Sequence, residues 1–172
     1  MEIQNHLNHI QEELIHLKKE NEYLKEQIRK YRYDFLTGLK QRHDFEYEVR
    51  HFFKIFPDGF WLYFIDINNL HTINREQGYD KGDEVIRQVA NDLEHLFPNS
   101  ICYRIGGDEF YMICFDQIIE KIKIDNATVI GMHTSAFNSA EDIMSKLDKK
   151  MIEKKKKLKR RKTDKKLKKD IR

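Results

Sequence analysis

From Ile3 to Tyr31, apolar residues recur in alternating steps of four and three through Leu7, Ile10, Leu14, Leu17, Leu24 and Ile28, with Asn21 the one polar member. No Pro or Gly interrupts the run. A period of about 3.5 residues specifies a long helix with a narrow apolar seam, which cannot close a core by itself and calls for a partner helix. With Leu7, Leu14, Asn21 and Ile28 at the a positions, Ile3, Ile10, Leu17, Leu24 and Tyr31 fall at d, and this distribution favours two strands. An Asn at a pairs best with its own copy in a parallel, in-register dimer. Glu13 and Glu20 at g precede Lys18 and Lys25 at e by five residues, the offset at which a parallel partner supplies the opposite charge. The expectation is a homodimer through residues 3–31, the alternative being one amphipathic helix lying on its own domain.

The remainder alternates between helical and extended patterns. An amphipathic stretch from Arg42 to Phe56 stops at Pro57-Asp58-Gly59, and Phe60-Trp-Leu-Tyr-Phe-Ile65 reads as a strand buried on both faces. A second helix, from about Asp83 to Phe97, carries Val85, Ile86, Val89, Ala90, Leu93 and Leu96 on one face. Ile101–Ile105 and Phe110–Phe115 form a hairpin through Gly106-Gly107, Thr128–Met132 is a further strand, and a last helix from about Ser139 runs into a lysine-rich tail. This order predicts an α/β fold with one central, mainly antiparallel sheet and flanking helices. The expected division is a coiled-coil helix over 1–32, one globular domain over 33–160 and a basic tail over 161–172, since 172 residues with 40% apolar content fill one core.

Charge is unevenly placed. Residues 149–172 hold fifteen Lys and Arg against three acids, which leaves 17 basic and 26 acidic residues in the first 148. Such a tail suits polyanions, nucleic acid included, by counterion release, and equally suits a solvated helix end. No apolar run approaches the ~18 residues of a membrane span, so a cytoplasmic chain without membrane contact is expected. Cys102 and Cys114 flank the hairpin tip at nearly equal distances and are expected as buried thiols on adjacent strands.

The hairpin tip carries the chemistry. Adjacent carboxylates repel and glycines weaken strands, so Gly106-Gly107-Asp108-Glu109 is costly as a mere turn. Glycines let a phosphate or cation approach the backbone, and Asp108 and Glu109 offer the hard oxygens that Mg2+ prefers. Asp66 ends the buried strand expected beside this hairpin. Carboxylates at neighbouring strand ends can hold two cations that bridge a triphosphate.

These residues resemble the GGDEF family of diguanylate cyclases, which join two GTP into cyclic di-GMP on a palm-like domain. The resemblance runs from Asp34 to about Lys159. It rests on Asp34-Phe-Leu-Thr-Gly-Leu-Lys-Gln-Arg42, on Phe64-Ile-Asp-Ile-Asn-Asn-Leu-His-Thr-Ile-Asn74, on Gly78-Tyr-Asp-Lys-Gly-Asp83 and on Arg104-Ile-Gly-Gly-Asp-Glu-Phe110. It implies a nucleotidyltransferase with two Mg2+ per protomer, Mn2+ being an alternative, held by Asp66, the carbonyl of Ile67, Asp108 and Glu109, the last two being the catalytic acids. It places Asn74 and Asp83 on guanine. A carboxylate accepts from the N1 and N2 hydrogens of guanine, whereas adenine offers no such pair of donors on that edge. Asp83 also stands where a helix N-cap is expected. Backbone N–H groups of Asn69, Leu70 and His71 at a helix start would cradle the phosphates, and Lys155 and Lys159 align with the family's phosphate-binding cations.

The sequence departs from the family pattern at several positions. Gln41 replaces Asn, Asn68 replaces Asp, His71 replaces Lys, Arg75 replaces Asp and Tyr79 replaces His. None removes a cation ligand, and the loss of one charged phosphate contact costs about 1 to 3 kcal/mol. The family's product-inhibition motif would need Arg at Phe97 and Asp at Ser100, so feedback through that site is not expected. Between Phe110 and Gly131 the family fits an extra helix, whereas only Asp116 to Asn126 is available here, predicting a thinly covered sheet face. Two other readings stay open: a non-catalytic GTP-binding or regulatory module, and a cyclase with a different cyclic dinucleotide as product.

Overall fold

The computed structural model describes residues 2–115 and 122–170, the side chains of Glu2, Gln4 and 161–170 excepted. Among the described residues five α-helices and five strands follow one another: α1 (Glu2–Arg32), β1 (Lys40–Gln41), α2 (Arg42–Ile55), β2 (Trp61–Ile67), α3 (Leu70–Gln77), α4 (Tyr79–Leu96), β3 (Ser100–Arg104), β4 (Glu109–Cys114), β5 (Ala127–His133) and α5 (Ala140–Asp170), with a 3-10 turn at Thr134–Ala136 between β5 and α5. They build one sheet in the order β1-β3-β4-β2-β5. Only the two-residue β1 runs parallel to its neighbour; β2 is antiparallel to both β4 and β5, and β3 to β4. The α/β class and the mainly antiparallel sheet are therefore as expected.

Strand parity sorts the core into two layers. Successive side chains on a strand point to opposite faces. Tyr63, Ile65 and Ile67 of β2, with Phe110 and Met112 of β4, pack under α4 through Ile86, Val89, Ala90 and Leu93. Leu62 and Phe64, with Tyr111 and Ile113, pack on the other face against Phe45 and Val49 of α2 and Ile143, Leu147 and Met151 of α5. The flat stack of Phe45 on Tyr111 on Phe64, with centroids 4.3 and 4.8 Å apart, fixes α2 to that face. By the same parity Asp66 and Glu109 belong to the α2/α5 face, on the rows of Phe64 and Tyr111.

α4 starts at Tyr79, four residues before the expected boundary. Gly78, at φ +87, breaks the chain between α3 and α4, and the polar Tyr79-Asp-Lys-Gly82 turn carries no apolar rhythm to betray the helix. Asp83 thus lies inside α4 and does not cap it. Cys102 and Cys114 are buried cysteines on paired strands, not joined in a disulfide, and offset by two positions because Cys102 opposes Met112 and Cys114 opposes Ser100. Of the segment expected to replace a family helix, residues 116–121 lie outside the described residues. Ile122 and Ile124 close the α4 layer from irregular chain.

α1 projects its seam into solvent, with Leu7, Ile10, Leu14, Leu17, Leu24 and Ile28 each about half exposed. Its last turn is keyed to the domain. Arg32 pairs with Asp44 at 3.1 Å and Glu48 at 3.6 Å, Tyr31 lies 4.1 Å from the His43 ring, and Glu48 also receives Lys40 at 2.7 Å and the Tyr103 hydroxyl at 2.6 Å. Burial, then Glu48, holds that hydroxyl well above the usual tyrosine range, so it remains the donor.

Gly131 faces Tyr63 across β2 and β5, and a Cβ there would lie 2.3 Å from the ring. Gly131→Ala is expected to lower stability by about 1 to 3 kcal/mol through overpacking, read as a fall in Tm of roughly 5 °C. An unchanged Tm would show that the ring shifts freely.

Candidate active site

The hairpin tip is held from outside by two arginines. Arg104 donates to the carbonyls of Gly106 at 3.2 Å and Gly107 at 2.9 Å, and its third contact is Asp34, at 2.9 Å. Asp34 also accepts from the Thr37 backbone at 2.9 Å and hydroxyl at 2.7 Å. Burial alone would raise the Asp34 carboxyl, but the hydrogen bonds from Thr37 and Arg104 outweigh it and hold the group below its ordinary value. Arg42, the first residue of α2, donates to the Ile105 carbonyl at 2.9 Å. The two glycines differ in what they permit. A Cβ on Gly106 would meet the Glu109 carboxylate at 2.9 Å, whereas one on Gly107 would meet nothing within 4 Å, so Gly107 leaves room outside the chain.

Asp66 and Glu109 are direct register partners across β2 and β4. Like charges placed opposite each other destabilise a sheet. Burial pushes the Asp66 carboxyl above the usual range, Lys155 opposing and Asp108 adding to the shift. Glu109 is also raised, by burial and by Asp108 and Asp66, against the pull of Arg42. Lys155 reaches from α5 to an ion pair with Asp66 Oδ1.

Two clefts meet at this strand end. One, of about 460 Å³, is lined by Ile67, Asn68, Asn69, Leu70, His71, Thr72, Asp108, Lys155, Leu158 and Lys159. It unites most of the residues singled out in the sequence: the Ile67 strand end, the start of α3, Asp108 and both lysines of α5. Asn69 enters α3 at φ +60, and the first N–H groups of a helix have no intrahelical acceptor. The second cleft, of about 670 Å³, lies between α2 and α5 and contains Asp66, Glu109, Arg42 and again Lys155. The tandem acids of the tip therefore face different clefts. Asn74 and Asp83 line neither one. Asn74 sits where α3 meets α4, its Oδ1 buried, without a hydrogen-bond partner among the described residues and directed at Gly82, while Asp83 is half-buried.

Three supports escaped the sequence reading: the Arg42 contact to Ile105, the Asp34 link to Arg104, and the Thr128 hydroxyl, which donates to Asn68 at 2.6 Å and ties the α3 loop to β5. Each joins positions too far apart in sequence for spacing to reveal. In donor chemistry the acids fit a hard divalent cation. Among the described residues, however, no three acidic, His or Cys side chains converge into a ready-made cation cage. Lys155 stands among them instead.

Residues 31–133 match the family described as Diguanylate cyclase, GGDEF domain, and the chain belongs to that family. It is 33% identical over 94 residues to YhcK of Bacillus subtilis, covering 52% of this chain and 26% of that protein. It is 31% identical over 100 residues to the cyclic di-GMP phosphodiesterase PdeB of Shewanella oneidensis, covering 57% of this chain and 12% of PdeB. The chain thus spans a third or less of the curated relatives it matches. In fold it resembles the coiled coil and GGDEF domain of DgcB from Caulobacter crescentus, solved with c-di-GMP, at a TM-score of 0.68 and 21% identity, over 81% of this chain and 88% of that one. The architecture is that of a nucleotidyl-cyclase-type module. Among the described residues no helix is long and apolar enough to cross a membrane.

Proposed function

We propose that this chain is a diguanylate cyclase that binds GTP in the cleft between α3 and α5 and condenses two GTP into cyclic di-GMP, with release of two pyrophosphates, across a homodimer. The observation that carries this is the intact acidic set, Asp66, Asp108 and Glu109, beside a cleft that combines a helix start with two lysines. Each GTP 3′-oxygen attacks the α-phosphorus of the other nucleotide; the P–O bond to pyrophosphate breaks as the new P–O bond forms, and the hydroxyl proton leaves. One protomer presents one α-phosphate and one 3′-hydroxyl, so two sites must face each other. Asp66, the Ile67 carbonyl, Asp108 and Glu109 would hold two Mg2+ or Mn2+, which when bound supply the positive charge that offsets the triphosphate. Lys155, Lys159 and the N–H groups of Asn69, Leu70 and His71 bind the phosphates. Asn74 Oδ1, buried and without a hydrogen-bond partner among the described residues, and the half-buried Asp83 accept from the guanine edge. The domain limits at 33 and 160, and the seam as a parallel dimer contact, are part of this proposal.

A specific feature favours a second reading. Lys155 already answers Asp66, and His71 replaces the family's lysine in the cleft, as in a module that binds GTP without turning it over. Incubation of the full chain with Mg2+ and each nucleoside triphosphate, with products identified by mass spectrometry, separates the readings. Cyclic di-GMP is expected from GTP, and none from an Asp108→Ala, Glu109→Ala variant. Absence of any cyclic dinucleotide alongside retained GTP binding would establish the second reading, and another cyclic product would reassign the nucleotide.

A further inference from the structure

The lysine run of α5 is sorted by the fold. Lys154 turns to the β5 carbonyl of Val129 at 2.7 Å, whereas Lys155 and Lys159, one helical turn apart, face the strand end. Lys155 belongs to both clefts, its side chain 31% exposed, and pairs with a carboxylate whose side chain is 9% exposed. An uncompensated carboxylate so placed, with Glu109 opposite and Asp108 adjacent, is strongly unfavourable, and the lysine ammonium is the cation that compensates it. The same flexible stem borders the cleft where the phosphates are placed above.

We propose that Lys155 is a tethered counter-ion: it holds Asp66 in the absence of nucleotide and transfers to a phosphate of the bound nucleotide, which frees Asp66 for the divalent cation and couples the binding of cation and nucleotide. This rests on the cation-and-GTP reading above. Without nucleotide, the cation must displace the ammonium into water. With nucleotide, the displaced ammonium gains a phosphate partner, so each ligand strengthens the other.

The test is Mn2+ binding to the full chain by electron paramagnetic resonance, with and without a non-reactive methylene analogue of GTP. Lys155→Met is expected to bind Mn2+ alone about tenfold more tightly than the unsubstituted protein, and to lose a similar factor of the enhancement the analogue gives. Lys159→Met, which leaves the Asp66 pair intact, is expected to bind Mn2+ alone as the unsubstituted protein does. Lys155→Met should also unfold at lower temperature in chelator, Mn2+ restoring it; Lys155→Gln serves if the Met variant does not fold. Equal Mn2+ affinity in Lys155→Met and the unsubstituted protein, or an undiminished analogue effect, would overturn the proposal. Absence of Mn2+ binding in every protein, with and without analogue, would overturn the functional reading and the proposal with it.

Discussion

Protein beginning at Lys25 is expected to bind a GTP analogue as tightly as the full chain, yet to lose at least roughly a hundredfold in cyclase activity at low protein concentration. The cut removes most of the seam but leaves the last two turns of α1, with Tyr31 against His43 and Arg32 on Asp44 and Glu48. The proposed nucleotide contacts lie at the start of α3 and on α3, α4 and α5, none of which the cut touches. The facing of two half-sites is what disappears. Leu7, Leu14 and Leu17 are 47%, 51% and 53% exposed in the single chain, and such a seam becomes stable when a second copy covers it. A linked pair sees its partner at millimolar effective concentration, whereas free domains meet only at their bulk concentration. Specific activity of the shortened protein should therefore climb with concentration while that of the full chain stays level. Equal activity of the two at nanomolar concentration would sink the coupling of seam to chemistry.

The elements legible in the sequence were those whose pattern is set by burial. β2 reads as a continuous apolar run because both of its faces are covered, and α4 reads from Ile86, Val89, Ala90 and Leu93 because only one of its faces is. The start of α4 was not legible, since Tyr79 to Gly82 follow a break made by one glycine and bury little. β1 is invisible too: Lys40 and Gln41 are extended only because β3 pairs with them. At the site, the acids and the α3 start stand out by residue type. The division of Asp108 and Glu109 between two clefts follows from strand parity once Phe64 and Tyr111 are assigned to a face. The residue pattern by itself does not tell Lys155 from Lys154, Lys156 and Lys157, because a run of one residue type carries no contrast; the family resemblance singled Lys155 out, and helix phase against the sheet is what brings it to Asp66.

Replacing Arg104 with Ala is expected to destabilise the fold by about 2 to 3 kcal/mol and to lower Tm by roughly 5 to 10 °C. The Arg104 and Asp34 side chains are only 12% and 18% exposed, so the variant leaves a largely covered carboxylate with the Thr37 donors alone. It also releases the carbonyls of Gly106 and Gly107, which Arg104 holds in place beside Asp108. Arg104→Lys keeps the charge without the planar fork, reaches fewer of the three acceptors, and is expected to recover only part of the loss. Asp34→Asn and Arg104→Ala should be less than additive, since both break one ion pair. The pH dependence has a fixed sign. The Asp34 carboxyl is held below its ordinary value of 3.8, so its stabilisation is complete above that value and is lost as the pH falls through the lower, folded value. In urea unfolding, the gap between the unsubstituted protein and Arg104→Ala should thus be full at neutral pH and shrink under acid conditions below 3.8. A gap that stays constant into acid would mean that Arg104 acts through the glycine carbonyls alone, and the tie from the end of α1 to the acidic tip would be broken as an explanation.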